Sequence, residues 1–351
     1  RAAGDLAAIL YTSGTTGRSK GAMLSHGALA SNAQTLRDFW RFTRADVLIH
    51  ALPIFHTHGL FVATNVTMMA GGSCLFLPGF DADAILDAMP RATALMGVPT
   101  FYTRLLEADG LADAARGMRL FVSGSAPLLA ETHDRWRAVT GHAILERYGM
   151  TETNMNTSNP YDGERRAGTV GFPLPGIEVI LTDPQTGAKV PQGEVGILEV
   201  RGPNVFSGYW KMPEKTAEEL RENGFFITGD MGQIDADGYV HIVGRSKDLI
   251  ISGGYNIYPK EIELLVDDLP GVMESAVIGV PHPDFGETVV AVVVPEAGAT
   301  LTEDGVLAGV ADHLARFKQP RRVILVDALP RNTMGKVQKA EMRKTYADLF
   351  A

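Results

Sequence analysis

One polar loop near the start of the chain has the composition of a phosphate-binding site. The sequence YTSGTTGRSKGAM begins at Tyr11 and follows an apolar segment. Glycines allow backbone N–H groups to converge on one anion, and cations balance the charge of that anion. The candidate ligands are Thr12, Ser13, Gly14, Thr15, Thr16, Gly17, Arg18 and Lys20. The loop is therefore expected to bind phosphate; the alternative is a polar surface turn between a strand and a helix.

Two common nucleotide signatures do not describe this loop. A P-loop has Gly before its lysine and Ser or Thr after it, whereas Lys20 lies between Ser19 and Gly21. A G-x-G-x-x-G dinucleotide signature is also absent from the sequence. These two signatures therefore do not identify the loop.

The whole chain has the composition of a globular protein with more than one domain. It has 351 residues, 45% hydrophobic and 21% charged, and a net charge of −9. An acidic surface repels nucleic acid, so no nucleic-acid partner is expected. The single cysteine, Cys74, excludes an internal disulfide and favours a reducing, cytoplasmic location. The run from Val47 to Phe80 lacks charges other than histidine, but Pro53 and Gly71 interrupt it, so a buried helix and strand are expected rather than a membrane span.

The order of apolar segments predicts an α/β fold. Short aliphatic runs alternate with amphipathic segments through the first half, which is typical of layered, mixed-to-parallel sheets with helices on their faces. Glycine- and proline-punctuated strands over about 168–240 predict a β-rich subdomain. A further β-α-β alternation predicts a small α+β domain over 247–351. Residues 1–246 would then form one large region, and residues 247–351 a compact lid.

The motifs along the chain resemble those of the adenylate-forming superfamily of acyl-CoA synthetases, adenylation domains and luciferases. They occur in the family's order, as YTSGTTGRSKGAM, FHTHG, GSAP, YGMTE, GEVGILEVRGPNVFSGYW, GFFITGD, GRSKDLIISGGYNIYP and PRNTMGKVQK. Family members carry a substantial N-terminal region before the phosphate loop, and only ten residues precede Tyr11 here. The resemblance thus implies a fragment, one piece of a longer protein or a shortened variant.

The resemblance implies that 1–246 is the nucleotide- and acyl-binding region and 247–351 a mobile lid. It also implies a reaction in two steps. A carboxylate attacks the α-phosphate of ATP to give an acyl-adenylate and pyrophosphate, and a thiol then attacks the acyl carbon. Thr151 would contact the α-phosphate and Glu152 would ligate Mg²⁺, while the loop from Thr12 to Lys20 would bind the β- and γ-phosphates. A Thr-Glu pair that merely caps a helix is the alternative for the first two residues.

The same resemblance assigns the nucleoside contacts. The adenine cradle would comprise Gly124, Ser125, Ala126, Pro127, Glu146, Arg147 and Tyr148. Asp230 would accept both ribose hydroxyls, and Arg245 would add a ribose or phosphate contact. The alternative for Asp230 is a turn-forming residue before a strand.

The FHTHG motif has two histidines that could suggest a metal. Their i, i+2 spacing lacks the helical i, i+4 arrangement of a zinc site, and no third ligand is obvious. The resemblance instead places His56 near the carboxylate and the adenylate. Thr57 and His58 would line the acyl pocket.

The C-terminal motifs are expected to supply the catalytic lysine and the thiol channel. Lys336 would contact the substrate carboxylate and the α-phosphate, because an ammonium can follow developing negative charge; a solvated lysine is the alternative. Lys247 would be the hinge about which the lid turns after the first step. The CoA pantetheine would then be bound by Ser252, Gly253, Gly254 and Tyr255.

The acyl pocket is expected to accept a small dicarboxylate. Arg104 in MGVPTFYTRLL would clamp a second carboxylate, with Ser123 and Met155 shaping the pocket. An Arg104–Glu107 pair along a helix is the alternative, and Arg165 or Arg166 could take the clamp role. The sequence RYGMTETNMNTS resembles that of malonyl-CoA synthetases, and this resemblance implies malonate, ATP and CoA as substrates. Other readings are an adenylating enzyme for another small carboxylate or a carrier protein, a luciferase-like oxygenase, or a non-catalytic nucleotide-binding module.

Overall fold

The chain forms two compact units. A computed structural model of the protein describes residues 1–12, 19–331 and 336–350. Of these, the first unit comprises 1–12, 19–228 and 233–242, and the second comprises 229–232 and 243–350. The expected division after residue 246 stays a prediction, as does the hinge at Lys247.

The described residues up to Arg245 form strands that alternate with short helices. The strands are β1 (Leu6–Thr12), β2 (Lys20–Ser25), β3 (Val47–His50), β4 (Ser73–Phe76), β5 (Ala94–Gly97), β6 (Leu120–Ser123), β7 (Leu145–Met150), β8 (Asn154–Ser158), β9 (Phe172–Pro173), β10 (Glu178–Thr182), β11 (Gly196–Arg201), β12 (Phe226–Ile234) and β13 (Val240–Arg245). The helices are α1 (His26–Phe39), α2 (Thr64–Ala70), α3 (Ala82–Ala88), α4 (Pro99–Leu106), α5 (Leu111–Ala114), α6 (Ala130–Thr140) and α7 (Pro213–Glu219), with a π-helical turn over His58–Ala63 and 3₁₀ turns over Met89–Arg91 and Ala115–Gly117.

A seven-stranded sheet organises the first unit. Its order is β4-β3-β5-β6-β7-β8-β9; the pairs from β4 to β7 are parallel and those from β7 to β9 antiparallel. Every residue of β5 and β6 is buried, as expected for parallel strands covered by helices on both faces. The prediction of a mixed α/β fold is confirmed.

The carboxyl ends of the parallel strands bring several loops to one edge of this sheet. The loop after β3 leads to His58, the loop after β5 leads to Arg104 on α4, and the loop after β6 contains Gly124. Ligands of open α/β sheets bind outside this edge. The edge therefore positions the candidate acyl and nucleoside residues.

A hairpin and a second sheet complete this part of the chain. Strands β1 and β2 pair antiparallel, and Ala22 of β2 also bridges to Tyr209. The four-stranded sheet has the order β10-β11-β12-β13, within the region expected to be β-rich. The segment before α7 is thereby tied by backbone hydrogen bonds to the strand that follows the phosphate loop.

The second unit is built on a long antiparallel hairpin. Its elements are β14 (Ile250–Ser252), β15 (Tyr255–Ile257), α8 (Pro259–Asp267), β16 (Val272–His282), β17 (Gly286–Pro295), α9 (Glu303–Ala311), β18 (Arg322–Leu325) and α10 (Lys339–Thr345), after a 3₁₀ turn over Ser246–Asp248. Alternate residues of β16 serve two separate apolar clusters, with Val277 in one and Ile278 in the other. The hairpin is buried on both faces because α8 and α9 cover one and α10 the other.

The charge-poor run from Val47 to Phe80 forms β3, the π-helical turn, α2 and β4. Strand β3 is buried, as expected, whereas α2 and β4 are only partly buried, with Met68 71% exposed and Phe76 57% exposed. Strand β4 is the edge strand of the seven-stranded sheet, so one side of it has no neighbouring strand in the part of the chain that the structure describes. Among the described residues, no helix combines the length and the apolar character that crossing a bilayer requires.

Candidate active site

Three loops meet around His58. The Ser125 hydroxyl lies 3.2 Å from His58 Nδ1, and the neighbouring Thr57 hydroxyl donates to Asn154 Oδ1 at 2.9 Å. The turn after β3, the GSAP loop and the start of β8 therefore form one polar cluster. Ser125 has a positive φ of 72°, a backbone conformation that non-glycine residues rarely adopt outside functional sites.

His58 is a neutral group at this cluster. Its side chain is buried, and burial together with the nearby Arg147 charge holds its pKa well below the usual range. Its Nε2 has no hydrogen-bond partner within the part of the chain that the structure describes. A neutral imidazole offers one donor and one acceptor, so His58 can still bond to a ligand.

Arg147 is a buried cation beneath the GSAP loop. It is 3% exposed, and a Cβ on Gly124 would lie 2.3 Å from its Nη1, so a larger residue at 124 would have to displace the guanidinium. Among the described residues its Nε and Nη2 have no hydrogen-bond partner. Burial lowers its pKa to about 9, which still leaves the guanidinium charged at neutral pH.

Glu146, the residue before Arg147 on β7, is a buried acid. Desolvation raises its pKa to about 8, although the backbone N–H groups of Gly168 and Leu128 oppose this shift. His133 Nδ1 lies 3.9 Å away, and burial lowers the pKa of that histidine. Glu146 is therefore a neutral acid at pH 7 and does not balance the charge of Arg147.

The Thr151-Glu152 pair lies in a turn between β7 and β8. Both antiparallel strands end at this turn, so the alternative of a helix cap does not apply. Glu152 is 3% exposed, and burial raises its pKa. Its Oε1 accepts a hydrogen bond from the Tyr209 hydroxyl at 2.9 Å. No cluster of three or more metal-ligating side chains occurs among the described residues.

The phosphate loop is described only at its ends. The assigned residues Ser13, Gly14, Thr15, Thr16, Gly17 and Arg18 lie outside the described residues. At one end the Thr12 hydroxyl lies 3.4 Å from the Lys20 carbonyl. At the other end the Lys20 ammonium bonds to both carboxylate oxygens of Glu219, at 3.1 Å each, and to the Tyr209 hydroxyl at 3.0 Å.

Asp230 and Arg245, both assigned to the ribose, form an ion pair. Arg245 Nε lies 2.7 Å from Asp230 Oδ1, and Asp230 is 4% exposed. Asp230 lies inside β12, so the alternative of a turn residue before a strand is wrong. A carboxylate is an acceptor that can take two hydroxyl donors.

The arginines considered for a second carboxylate have different surroundings. Arg104 is exposed on α4, and its guanidinium carbon lies 5.5 Å from the centre of the Phe80 ring. Its alternative partner Glu107 pairs with Arg135 at 2.8 Å. Arg165 donates to three backbone carbonyls, and Arg166 pairs with Asp235, Glu164 and Asp237. Of these arginines, Arg104 carries a charge that is accessible to solvent. Arg147 carries a buried charge that no carboxylate among the described residues is shown to balance.

The remaining assigned residues of the first unit differ in burial and in surroundings. Ser123 ends β6 and is fully buried. Met155 is 1% exposed and its Cε packs against Gly149. His56 stacks at a tilt on Phe55, with ring centres 4.5 Å apart. Tyr148 continues β7, and Ala126 and Pro127 are exposed in the GSAP loop.

The assigned residues of the second unit lie in three places. Lys336 is exposed, and its carbonyl accepts from the Gln338 side chain at 3.4 Å. Lys247 is half-buried in the turn after β13, and burial lowers its pKa. Gly253 and Gly254 have positive φ values in the turn between β14 and β15, after Ser252. Tyr255 follows this turn and stacks on Phe317 with ring centres 4.5 Å apart.

Two residues at the site, Tyr209 and Glu219, were not predicted from the sequence. Tyr209 lies in the quoted segment FSGYW, so its motif was visible although its role was not. Glu219 sits at the end of a charged helix, α7, where a carboxylate resembles any solvated surface residue. Only the tertiary contact with Lys20 distinguishes it.

Comparison with known proteins identifies the family. Residues 1–210 match the AMP-binding enzyme model, and residues 261–336 match the AMP-binding enzyme C-terminal domain. A malonate–CoA ligase of Arabidopsis thaliana is 39% identical over 97% of this chain and 61% of its own length. A feruloyl-CoA synthase of Amycolatopsis is 39% identical over 97% of this chain and 70% of its own.

A solved structure is more similar. The ATP-bound MatB of Rhodopseudomonas palustris is 67% identical and superimposes with a TM-score of 0.98 over 100% of this chain and 70% of that chain. The chain spans about three fifths of the length of the curated malonate–CoA ligase it matches. Family models cover most of the chain, in the order that its motifs predicted. The chain belongs to the AMP-binding enzyme family.

Proposed function

We propose that the protein is an AMP-forming acid:CoA ligase that makes malonyl-CoA from malonate, ATP and CoA. Membership of the AMP-binding family supports the reaction class. The likeness to a malonate–CoA ligase and to ATP-bound MatB supports the substrates. Because a feruloyl-CoA synthase is equally identical, the choice of acid has to rest on the pocket.

The single observation that carries the choice of malonate is the buried charge of Arg147. A guanidinium that is 3% exposed, with two nitrogens unpartnered among the described residues, is costly to desolvate. An uncompensated buried charge costs about 3–5 kcal/mol relative to a paired one. A ligand with its own negative charge would recover part of that energy, so the site favours an acid that keeps a second carboxylate.

The surrounding groups suit a small polar acid. His58 and Ser125 present neutral hydrogen-bonding groups, and Arg104 adds an exposed cation at the carboxyl edge of the sheet. In this proposal Arg104 and Arg147 both attract the second carboxylate, which departs from the expected role of Arg147 in the adenine cradle. Thr57, Ser123 and Met155 define the size of the pocket.

The first chemical step joins two anions. One malonate carboxylate oxygen forms a bond to the α-phosphorus, and the bond to the pyrophosphate oxygen breaks. In the second step the CoA sulfur attacks the acyl carbon and AMP leaves. The proposed Lys336 contact stabilises the charge that develops in the first step. Asp230 and Arg245 remain the proposed ribose contacts, and Gly124 to Pro127 with Tyr148 remain the proposed adenine cradle.

The residues present fit the magnesium ion that the family implies. Mg²⁺ binds one or two carboxylates together with substrate phosphates, and Glu152 is such a carboxylate. Its other carboxylate oxygen is not used by Tyr209. When bound, the ion would neutralise phosphate charge; Glu152 would hold it, and Thr151 would contact the α-phosphate.

The test measures pyrophosphate release with malonate, methylmalonate, acetate, octanoate and ferulate, with and without CoA. We expect malonate to give the highest kcat/KM. Arg147→Met should lower kcat/KM for malonate by about 30- to 1000-fold, because truncating one partner of a buried charge pair costs about 2–4 kcal/mol. Arg104→Met should lower it only about 2- to 5-fold, because Arg104 is exposed and solvent screens its charge. The same changes should leave acetate turnover little altered.

A matched control is Arg116→Met, since Arg116 is an exposed arginine that pairs with Asp113. It should retain the malonate preference. Equal loss for malonate and acetate in the Arg147 variant would contradict the selectivity argument. Release with ferulate but not malonate would instead support an aromatic acid:CoA ligase.

A further inference from the structure

Lys20 is the last residue assigned to the phosphate loop, but its side chain is engaged within the protein. Its ammonium has three N–H donors. Three acceptors lie within 3.1 Å, namely both carboxylate oxygens of Glu219 and the hydroxyl of Tyr209. The ammonium also lies 4.3 Å from the centre of the Tyr209 ring. These contacts saturate the lysine without a phosphate.

The Tyr209 hydroxyl lies at the centre of this set. It is 2.9 Å from Glu152 Oε1 and 2.5 Å from Glu219 Oε2. Tyr209 is 2% exposed and Glu152 is 3% exposed, so the contact between them is shielded from solvent, whereas the Lys20 and Glu219 side chains are 20% and 21% exposed. A continuous path of contacts therefore runs from Lys20 and Glu219 through one hydroxyl to the proposed magnesium ligand.

Backbone hydrogen bonds hold the path in place. The Trp210 N–H donates to the Gly21 carbonyl at 2.8 Å, and the Met23 N–H donates to the Gly208 carbonyl at 2.9 Å. At the other side the Phe206 N–H donates to the Glu152 carbonyl at 2.8 Å. The segment 206–210 thus joins the strand that carries Lys20 to the turn that carries Glu152.

We propose that Lys20 and Glu219 are positioning residues that act through Tyr209 to fix the Glu152 carboxylate for its metal ion. The inference rests on the proposed function, because that function makes Glu152 the magnesium ligand. Groups that orient a ligating carboxylate change metal affinity about 10- to 100-fold when they are removed. A phosphate-binding role for Lys20 would instead weaken nucleotide binding with or without metal.

The experiment compares Tyr209→Phe, Glu219→Gln and Lys20→Met with the unmodified chain. The first quantity measured is the Mg²⁺ concentration that gives half-maximal pyrophosphate release with malonate. The second is the affinity for Mn²⁺ in the presence of ATP, which is monitored by the electron paramagnetic resonance signal of the protein-bound ion. We expect all three variants to need about 10- to 100-fold more metal. Binding of ATP in the presence of a chelator should stay close to that of the unmodified chain.

The double variant Tyr209→Phe with Lys20→Met gives the sharpest result. If Lys20 acts through the hydroxyl, the double variant needs no more metal than Tyr209→Phe alone. Fully additive effects would overturn the inference, as would a Lys20→Met variant that loses metal-free ATP binding. Should Lys20→Met fail to fold, the Tyr209 and Glu219 variants decide the matter, and unchanged metal dependence in both would overturn it.

Lys215 provides the matched control. It pairs with the same Glu219 at 3.0 Å, but its side chain is 36% exposed on α7. Lys215→Met should leave the metal dependence unchanged, and an effect as large as that of Lys20→Met would count against the specific path. If the unmodified chain releases no pyrophosphate with any acid, the proposed function fails, and Mn²⁺–ATP binding still tests the positioning role.

Discussion

At the scale of single residues, two neighbours on β7 show how position determines chemistry. Glu146 and Arg147 are adjacent and both buried, yet successive side chains of a strand point to opposite faces. Glu146 lies near His133 of α6, and Arg147 lies against Gly124. The two side chains therefore do not form an ion pair, and the pKa of each is shifted by its own environment.

The Glu146 carboxyl should make stability depend on pH. Its folded pKa of about 8 lies above the ordinary value of 4.5, so the unfolded chain releases its proton first as pH rises. The contribution of this carboxyl to the free energy of unfolding is then fully present below about pH 4.5 and falls as pH rises toward 8. In Glu146→Gln this fall should disappear, which amounts to a difference of up to about 4 kcal/mol.

Urea unfolding of the unmodified chain and of Glu146→Gln at pH 5, 7 and 9 measures this difference. Both proteins retain His133, whose own titration runs in the opposite direction because burial lowers its pKa, so the comparison isolates Glu146. The same slope of unfolding free energy against pH in both proteins would show that the carboxyl is ionised in the fold.

Lys336 leads to a prediction about the two half-reactions. The Lys336→Ala variant should lose adenylate formation by at least about 100-fold, because it removes charge stabilisation that exists only in the first transition state. Thioester formation from supplied malonyl-adenylate and CoA should persist. Assaying both half-reactions separately checks this, and equal losses in the two would argue for a structural lysine.

At the scale of elements, the turn after β13 is the proposed hinge. It comprises Ser246–Asp248, and Arg343 of α10 donates to the Lys247 carbonyl at 3.3 Å and pairs with Asp248 at 3.1 Å. The residue after the proposed hinge is thus tied to the last helix. Rotation during catalysis would have to occur at Lys247 and the residues before it.

Lys247→Pro should therefore separate the two steps. Proline fixes φ near −65° and removes the N–H, so the segment loses the freedom to change conformation. Adenylation is expected to stay near the unmodified rate while thioester formation falls at least about 10-fold. Rapid-quench assays of each step measure this; two normal steps would rule out a hinge at this position.

Elements were largely predictable from the sequence because periodicity reports burial. The runs LAAILYT and SCLFLP form β1 and β4. The alternation of helix and strand that was predicted over 247–351 corresponds to α8, β16, β17, α9 and β18. The antiparallel pairing of β16 and β17 was not visible, because apolar runs buried on both faces read alike in parallel and antiparallel sheets.

Site residues were predictable only where a motif fixed them. Asp230 and Arg245 were expected at one ribose site, and they are in contact. Gly124 and Arg147 were expected in one adenine cradle, and they are close together. The motif gave no sign that two nitrogens of the buried guanidinium have no hydrogen-bond partner among the described residues. Glu219 had no motif at all. Sequence pattern reports local structure, whereas these contacts depend on tertiary packing.

At the scale of the whole molecule, each unit has its own apolar core. Leu95 is fully buried in the first unit, and Ile278 is fully buried in the second. Domains with separate cores need not unfold together. We therefore expect calorimetry to resolve two transitions, or one whose van't Hoff enthalpy is below the calorimetric enthalpy.

Core substitutions can assign these transitions. Leu95→Ala and Ile278→Ala should each cost about 2–5 kcal/mol and lower a different transition. ATP with Mg²⁺ should raise the midpoint of the transition that Leu95→Ala lowers, since the first unit holds Glu152. A single transition that both substitutions lower equally would show that the two cores unfold as one.

The pleat of β7 also limits how this stretch of chain can change over evolutionary time. Successive side chains of a strand point to opposite faces, so deleting one residue before Glu146 would turn Arg147 toward His133, and inserting one would place the Glu146 carboxyl under Gly124. In both cases the space under Gly124 would lose its guanidinium. Descendants of this sequence can replace residues here, but a change of length by one would remove the positive charge from the pocket.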